Sequence, residues 1–341
     1  MVTGRVLLLR ALGLGDFLTG VPAYRAVRRA FPGHRVILAA PGMFAALAPL
    51  TGAVDEVLPT GELQAIGWAG EPPAVGIDLH GRGPASHRIV AALGPRHLIV
   101  FGGSGGFTGP VWRAREHERD RWCRLCSESG IPADPADLLL ARQPIPTGDV
   151  PGEAGAALVS AGDREREVQP TVLHPGAAAA SRRWPARRFA AVARALSADG
   201  HHVLITGSAA EWDLASRVAN LAGLPADRVR AGRTPLAVLA ALVASAHVII
   251  CGDTGMSHLA SAYARPSVTL FGPVPPSEWG PPTHPRHQVL WAAPHGYRGD
   301  PHARWTDPAL AAVSTGEVLH AVHAALAGKA TAAPGRLGQQ A

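Results

Sequence analysis

The chain has 341 residues, of which 47% are hydrophobic and 17% charged, with a net charge of +6. That length suits two domains. The composition is that of a soluble globular protein, with no apolar run near the roughly 20 residues that cross a bilayer. The positive balance is not a nucleic-acid footprint: the basic residues are scattered arginines, with Lys329 the single lysine, and no nucleic-acid module accompanies them. Three cysteines, Cys123, Cys126 and Cys251, make no disulfide framework. With no signal-peptide pattern at the start, the expected location is cytoplasmic.

Arg5–Arg10 encloses a continuous apolar run, which predicts a strand buried on both faces. Gly13-Leu14-Gly15-Asp16 turns it into a helix over 17–30, with Phe17, Val21, Tyr24 and Val27 near one face. A strand at 36–39, a short helix over 41–49 and a strand at 54–58 continue at βαβ spacing. Strand 75–80 runs into Gly81-Arg82-Gly83, followed by a helix near 85–93 and a strand at 97–101. Residues 102–109 hold five glycines and read as a mobile loop over a cleft between domains. Residues 111–128 read as a basic helix with a membrane-facing strip near Trp112–Arg124, or simply as a solvated face.

The pattern dissolves into Pro/Gly-rich text around 144–152. The expected organisation is an N-terminal domain over 1–150, a linker region over 151–168 with a helix at 153–161, and a C-terminal domain over 169–314. A closing helix over 315–327 and a disordered tail over 328–341 complete it. Within the second domain the alternation predicts strands at 171–174, 201–206, 228–231, 247–251 and 267–271. Helices are predicted at 185–199, 209–222, 235–245 and 254–264. Right-handed crossovers make both halves parallel sheets covered by helices.

Chemistry concentrates where strands end. The strongest corner is Val248–Ala260, in which an apolar strand stops at Gly252-Asp253-Thr254-Gly255 and a helix of small residues begins. A helix N-terminus at the carboxyl end of a strand favours an anion such as phosphate. Asp253, Thr254 and His258 are placed to touch what carries it, although Asp253 and Thr254 also suit plain helix capping. His174-Pro175-Gly176-Ala177 and Arg182-Arg183-Trp184-Pro185 form a second corner, whose arginines suit a diphosphate clamp or simple solvation. Glu211 follows the third, Gly207-Ser208, and either complements the helix dipole or accepts ribose hydroxyls. Asp16 is either an N-cap or a carboxylate acting as general base. Gly13-x-Gly15 lacks the third small residue of a dinucleotide fingerprint, because Leu18 stands there, and no acid ends the second strand. There is no P-loop and no Asp-x-Asp metal pair. Cys123-x-x-Cys126 has no second pair to complete a zinc site.

Taken together, these corners resemble glycosyltransferase family 9, the ADP-heptose:lipopolysaccharide heptosyltransferase family, from about residue 5 to about 282. The resemblance is carried by Leu14-Gly15-Asp16 with Pro22-Ala23, Asp78-Leu79-His80-Gly81, His174-Pro175-Gly176-Ala177 and Arg183-Trp184-Pro185. Asp253-Thr254-Gly255-Met256-Ser257-His258-Leu259-Ala260 and Phe271-Gly272-Pro273 complete it. It implies an α/β fold of GT-B architecture, two Rossmann-like doubly wound domains facing a deep interdomain cleft, with a C-terminal helix that often returns to the first domain. It implies inverting transfer without a metal or other cofactor, of heptose from an ADP-heptose-type nucleotide-sugar donor, onto a glycan, lipopolysaccharide-core-like or metabolite acceptor. The alternatives are a GT-B enzyme using a UDP- or GDP-linked sugar, or a non-catalytic nucleotide-sugar binding protein. Asp16 matches the catalytic base. His174, Gly176, Arg182, Glu211, Asp253, Thr254, Gly255 and His258 match donor-binding positions. Arg182 stands where the family usually has lysine, and arginine is planar and larger. A monomer that touches the membrane at most peripherally is the expected state.

Overall fold

The structure is a computed structural model that describes residues 4–142 and 169–328. The expected linker over 151–168 and the tail beyond 328 lie outside them. The chain divides into two compact units, Met1–Gln143 and Pro144–Ala341.

The first unit runs β1 (Gly4–Leu9), α1 (Leu14–Ala30), β2 (His34–Ala40), β3 (Glu56–Pro59), β4 (Val75–Asp78), α2 (Ala85–Ala91), β5 (His97–Ile99) and α3 (Glu118–Glu128). Its strands order as β3-β2-β1-β4-β5, all parallel. Val6, Leu7, Leu8 and Leu9 are buried, as a central parallel strand requires. α1 buries Phe17, Val21, Tyr24 and Val27, the predicted face, and packs against α3. Each such side chain contributes roughly 1.5–3 kcal/mol by leaving water.

The second unit runs β6 (Thr171–His174), α4 (Ala186–Ala198), β7 (Val203–Ile205), α5 (Trp212–Ala222), α6 (Leu236–Ser245), β8 (Val248–Gly252), α7 (Gly255–Ala262), β9 (Ser267–Leu270), α8 (Pro276–Trp279), β10 (His287–Leu290), α9 (Pro308–Ala312) and α10 (Thr315–Ala327). Its order, β10-β9-β8-β6-β7, is again wholly parallel. Phe189, Val192, Ala193 and Leu196 recur at helical spacing along α4 and close over β6 and β7. In both sheets the chain builds outward on one side of its first strand, then returns to build on the other. The crevices between β1 and β4, and between β6 and β8, are therefore switch points where ligands collect outside the strand ends.

Several expectations need correction. Residues 228–231 form no strand: a 3₁₀ turn at Ala226–Arg228 leads to one isolated bridge, Ile205 to Val229. The helix expected over 41–49 is two 3₁₀ turns, Gly42–Ala46 and Ala48–Thr51, because Pro49 interrupts it. Of residues 111–128 only Glu118–Glu128 is helical. Its basic strip is engaged locally: Arg124 pairs with Glu116 at 2.7 Å and Glu128 at 3.1 Å, and Arg121 with Glu118. Arg121 and Arg124 therefore find their carboxylate partners within the same unit. The glycine run at 102–109 is tied down, with Gly102 N donating to Pro110 O at 2.9 Å and Phe107 N to Ser104 O at 3.2 Å. A Cβ on Gly109 would strike the Val100 carbonyl, so glycine there permits backbone-on-backbone packing. Apart from these corrections, α10 contributes Val318, Ala321 and Val322 to a core cluster that also holds Leu173 and Ile250.

Candidate functional site

β8 delivers the chain into Asp253 and then α7. Thr254 is the N-cap of α7, and its hydroxyl accepts from Met256 N at 3.3 Å. Asp253 is not a cap. It is buried beneath the helix start, and Arg182 Nη1 lies 3.8 Å from its Oδ2. Burial pushes the Asp253 carboxyl up to about 6, with the Arg182 guanidinium opposing the rise. A Cβ on Gly252 would meet the Arg182 carbonyl at 3.0 Å, so the two loops are in close register. His258, one turn into α7, is buried with its ring edge-on to Trp279 at 5.8 Å. Gly255 opens the helix, where first-turn N–H groups have no carbonyl partner within the helix.

β6 ends beside this corner. His174 Nδ1 is 3.1 Å from Thr206 Oγ1, and burial pushes its imidazole down while Glu211 opposes. Glu211 accepts from Ser208 N at 2.8 Å and from its hydroxyl at 2.9 Å, which is a capping arrangement. Its carboxylate also fills the space where a Gly176 Cβ would stand. Gly176→Ala is therefore expected to dislodge Glu211 from its cap at a cost of about 1 kcal/mol. A thermal midpoint lowered by a few degrees checks this, and an unchanged midpoint would show the two residues to be independent. The structure thus brings His174, Gly176 and Glu211 together at one corner, and Arg182 and Asp253 at the next.

The loop that carries Arg182 is laced to a distant segment. Ser181 N donates to Ala303 O at 3.1 Å and its hydroxyl to Pro301 O at 2.9 Å, while Asp307 N donates back to Ser181 O at 3.1 Å. Thr306 Oγ1 donates to Arg183 O at 3.0 Å, and the buried Trp184 donates Nε1 to Val313 O at 3.1 Å. Trp184 is thus an anchor that fixes where Arg182 emerges.

In the first unit Asp16 is the third residue of α1, not its N-cap, and accepts from Gly13 N at 3.2 Å. Its side chain is 24% exposed. Burial is the largest influence and raises its carboxyl, opposed by Arg10. Sequence reasoning took Arg10 as the end of an apolar strand, yet its guanidinium is wholly buried. Arg10 Nε donates to Asp16 O and Nη1 to Leu79 O. Its Nη2 faces Thr19 Oγ1 at 3.0 Å, Glu118 Oε1 at 3.1 Å and Asp16 Oδ1 at 3.4 Å. The Trp122 ring lies under the guanidinium at 4.7 Å. An arginine closing an otherwise apolar strand was the signal available for it. Beside them His80 Nδ1 accepts from Ala11 N at 3.2 Å, which leaves the ring proton of the neutral form on Nε2. The Asp78 of the same motif is a brace, 2.5 Å from His87 Nδ1 and accepting from His80 N at 2.8 Å.

Cys123 and Cys126 lie buried on α3, and burial raises both thiols, which suits inert core residues. Among the described residues no group of three or more His, Cys, Asp or Glu is placed to hold a metal ion. Ser104 lies in a Gly-x-Ser-x-Gly run, but no helix follows it directly, so the run is not a nucleophile elbow. No helix among the described residues is long and apolar enough to cross a membrane.

Residues 138–300 match the model of Glycosyltransferase family 9 (heptosyltransferase). Lipopolysaccharide heptosyltransferase 2 of Salmonella typhimurium is 30% identical over 152 residues, 43% of this chain and 43% of that protein. Lipopolysaccharide heptosyltransferase 1 of Pseudomonas aeruginosa is 35% identical over 105 residues, 29% of this chain and 28% of that one. The matched sequence therefore spans less than half the length of these curated relatives. Across the whole fold, the solved ADP-heptose lps heptosyltransferase II of E. coli superposes with a TM-score of 0.72 at 21% identity, covering 95% of this chain and 98% of that chain. A glycosyl transferase family 9 structure from Veillonella parvula gives 0.75 at 17% identity, covering 95% and 97%. Both units are Rossmann-like and of GT-B type, the fold of these solved structures, and residues 138–300 carry the similarity to glycosyltransferase family 9.

Proposed function

We propose that the chain is an inverting glycosyltransferase that needs no metal and moves a sugar, heptose from an ADP-heptose-type donor, onto a hydroxyl of an acceptor. The acceptor is a glycan of lipopolysaccharide-core kind or a metabolite. The observation that carries this reading is the second unit's switch point. There a buried carboxylate, a guanidinium and a helix N-terminus meet at one corner, beside a glycine–glutamate corner at the end of β6.

In this reading Asp253 accepts sugar hydroxyls, and the α7 N-terminus with Thr254 and Gly255 receives the diphosphate. Arg182 neutralises charge as it leaves, His258 contributes a further donor contact, and His174, Gly176 and Glu211 hold the nucleoside. Asp16 takes the proton of the acceptor hydroxyl, whose oxygen bonds to the anomeric carbon. The bond from that carbon to the phosphate oxygen breaks, and the electron pair departs with the nucleoside diphosphate. Preorganised donors and a fixed cation stabilise that charge without reorganising at the moment of reaction. The first unit serves the acceptor and the second the donor, and the enzyme works as a monomer in the cytoplasm.

A binding screen of ADP-, UDP- and GDP-sugars, followed by transfer assays in chelator, tests this. ADP-linked donors are expected to bind tightest, with turnover unaffected by chelator. Tightest binding to a UDP-sugar, or loss of activity on chelation, would overturn the donor and the metal-free mechanism respectively.

A further inference from the structure

Arg10 Nη2 has two hydrogens and three acceptors around it. The shorter contacts go to Thr19 Oγ1 at 3.0 Å and Glu118 Oε1 at 3.1 Å, and Asp16 Oδ1 is the long one at 3.4 Å. An Nη2 free of Glu118 would turn a hydrogen fully onto Asp16 in a short charge-assisted bond, hold that carboxylate as a tight pair and leave it a poor proton acceptor. Glu118 prevents this from another element. It is brought in on α3, and also accepts from Trp122 Nε1 at 2.9 Å and from Arg121, so its own position is fixed. All of these groups are buried apart from Asp16.

We propose that Glu118 is a positioning residue for Asp16: by competing for Arg10 it keeps the guanidinium beside the base without letting the two pair closely. This rests on reading Asp16 as the base. The groups that face Asp16 are Arg10 at the end of β1, Glu118 on α3, Tyr24 on α1 and His80 at the end of β4, with the Gly13 N–H. Burial raises the Tyr24 hydroxyl and lowers the His80 imidazole, so both are neutral at working pH. Arg10 and Glu118 are then the charges that act on Asp16, and they act in opposite directions: Arg10 lowers its carboxyl and Glu118 raises it. Arg121, paired with Glu118, keeps the cluster of two arginines and two carboxylates balanced.

The test is a carbon-13 titration of the Asp16 side-chain carboxyl, identified by its loss in Asp16→Asn, alongside the pH dependence of kcat/KM. Glu118→Gln is expected to move the carboxyl titration to lower pH and Arg10→Met to move it to higher pH. At the plateau, Glu118→Gln should lower kcat by about threefold to tenfold, since a weaker base transfers the proton less readily. A packing role alone would not give shifts of opposite sign. An unmoved or upward-moving titration in Glu118→Gln overturns the proposal. If that variant does not fold, Thr19→Val frees the other Nη2 hydrogen for Asp16, and its titration must also move downward or the proposal fails. Should the carboxyl respond as expected while the kcat/KM profile stays in place, the positioning stands and Asp16 is not the base.

Discussion

Asp16→Asn is expected to lower kcat by about 10²- to 10⁴-fold, the range that a positioned general base contributes, while donor affinity stays within about twofold of wild type. Asparagine preserves size and can still accept from Gly13 N, the bond that holds Asp16 at the start of α1. It removes the proton acceptor and little else. Calorimetric titration with the donor and single-turnover transfer separate the two effects. Wild-type turnover in this variant removes the base assignment, and a parallel loss of donor binding would make Asp16 a structural residue.

The second large effect lies at Asp253. Its carboxyl is pushed up to about 6 from an ordinary 3.8, chiefly by burial. Between those values the folded chain holds a proton that the unfolded chain has released, so stability falls as pH rises through the window and the whole cost is present above about pH 6. That cost is on the order of 3 kcal/mol. Asp253→Asn removes it, less what is lost with the Arg182 contact. The variant should melt a few degrees higher at pH 8, and the gain should shrink toward pH 4. Transfer should fall by about 10- to 100-fold, as for a lost hydrogen bond to a charged group. A variant that is less stable at pH 8, or whose gain is independent of pH, contradicts the account. The combination of a stabilised fold and a weakened site is what a group kept for binding rather than for folding predicts.

Much of the fold was legible because parallel strands buried on both faces write themselves as short apolar runs, as Val6–Leu9 and Val248–Cys251 do. The expected helix over 315–327 coincides with α10, whose Ser314–Glu317 capping box marks its start. Residues 228–231 misled because Val229 and Ala231 are buried as a strand would bury them, yet one bridge is all the pairing they make. At the site, Asp253, Thr254 and Glu211 were legible as strand-end residues. The split of labour between them was not, because only geometry shows that Thr254 caps α7 while Asp253 sits against Arg182. Arg10 and Glu118 stand 108 positions apart in the chain. No local pattern joins an arginine that ends one strand to a glutamate that begins a later helix, so their pairing had to come from the packing of α1 against α3.

The hydrogen bonds from Ser181, Arg183 and Trp184 to Pro301, Ala303, Thr306 and Val313 bear on how this protein should be divided. Similarity to the family model stops at residue 300. A fragment cut there would keep each matched residue and yet lose the braces that hold the Arg182 loop, together with the α10 side chains that complete its core. The extent of a recognisable pattern and the extent of a self-sufficient piece of protein are different lengths in this chain, and the longer one governs where it can be cut.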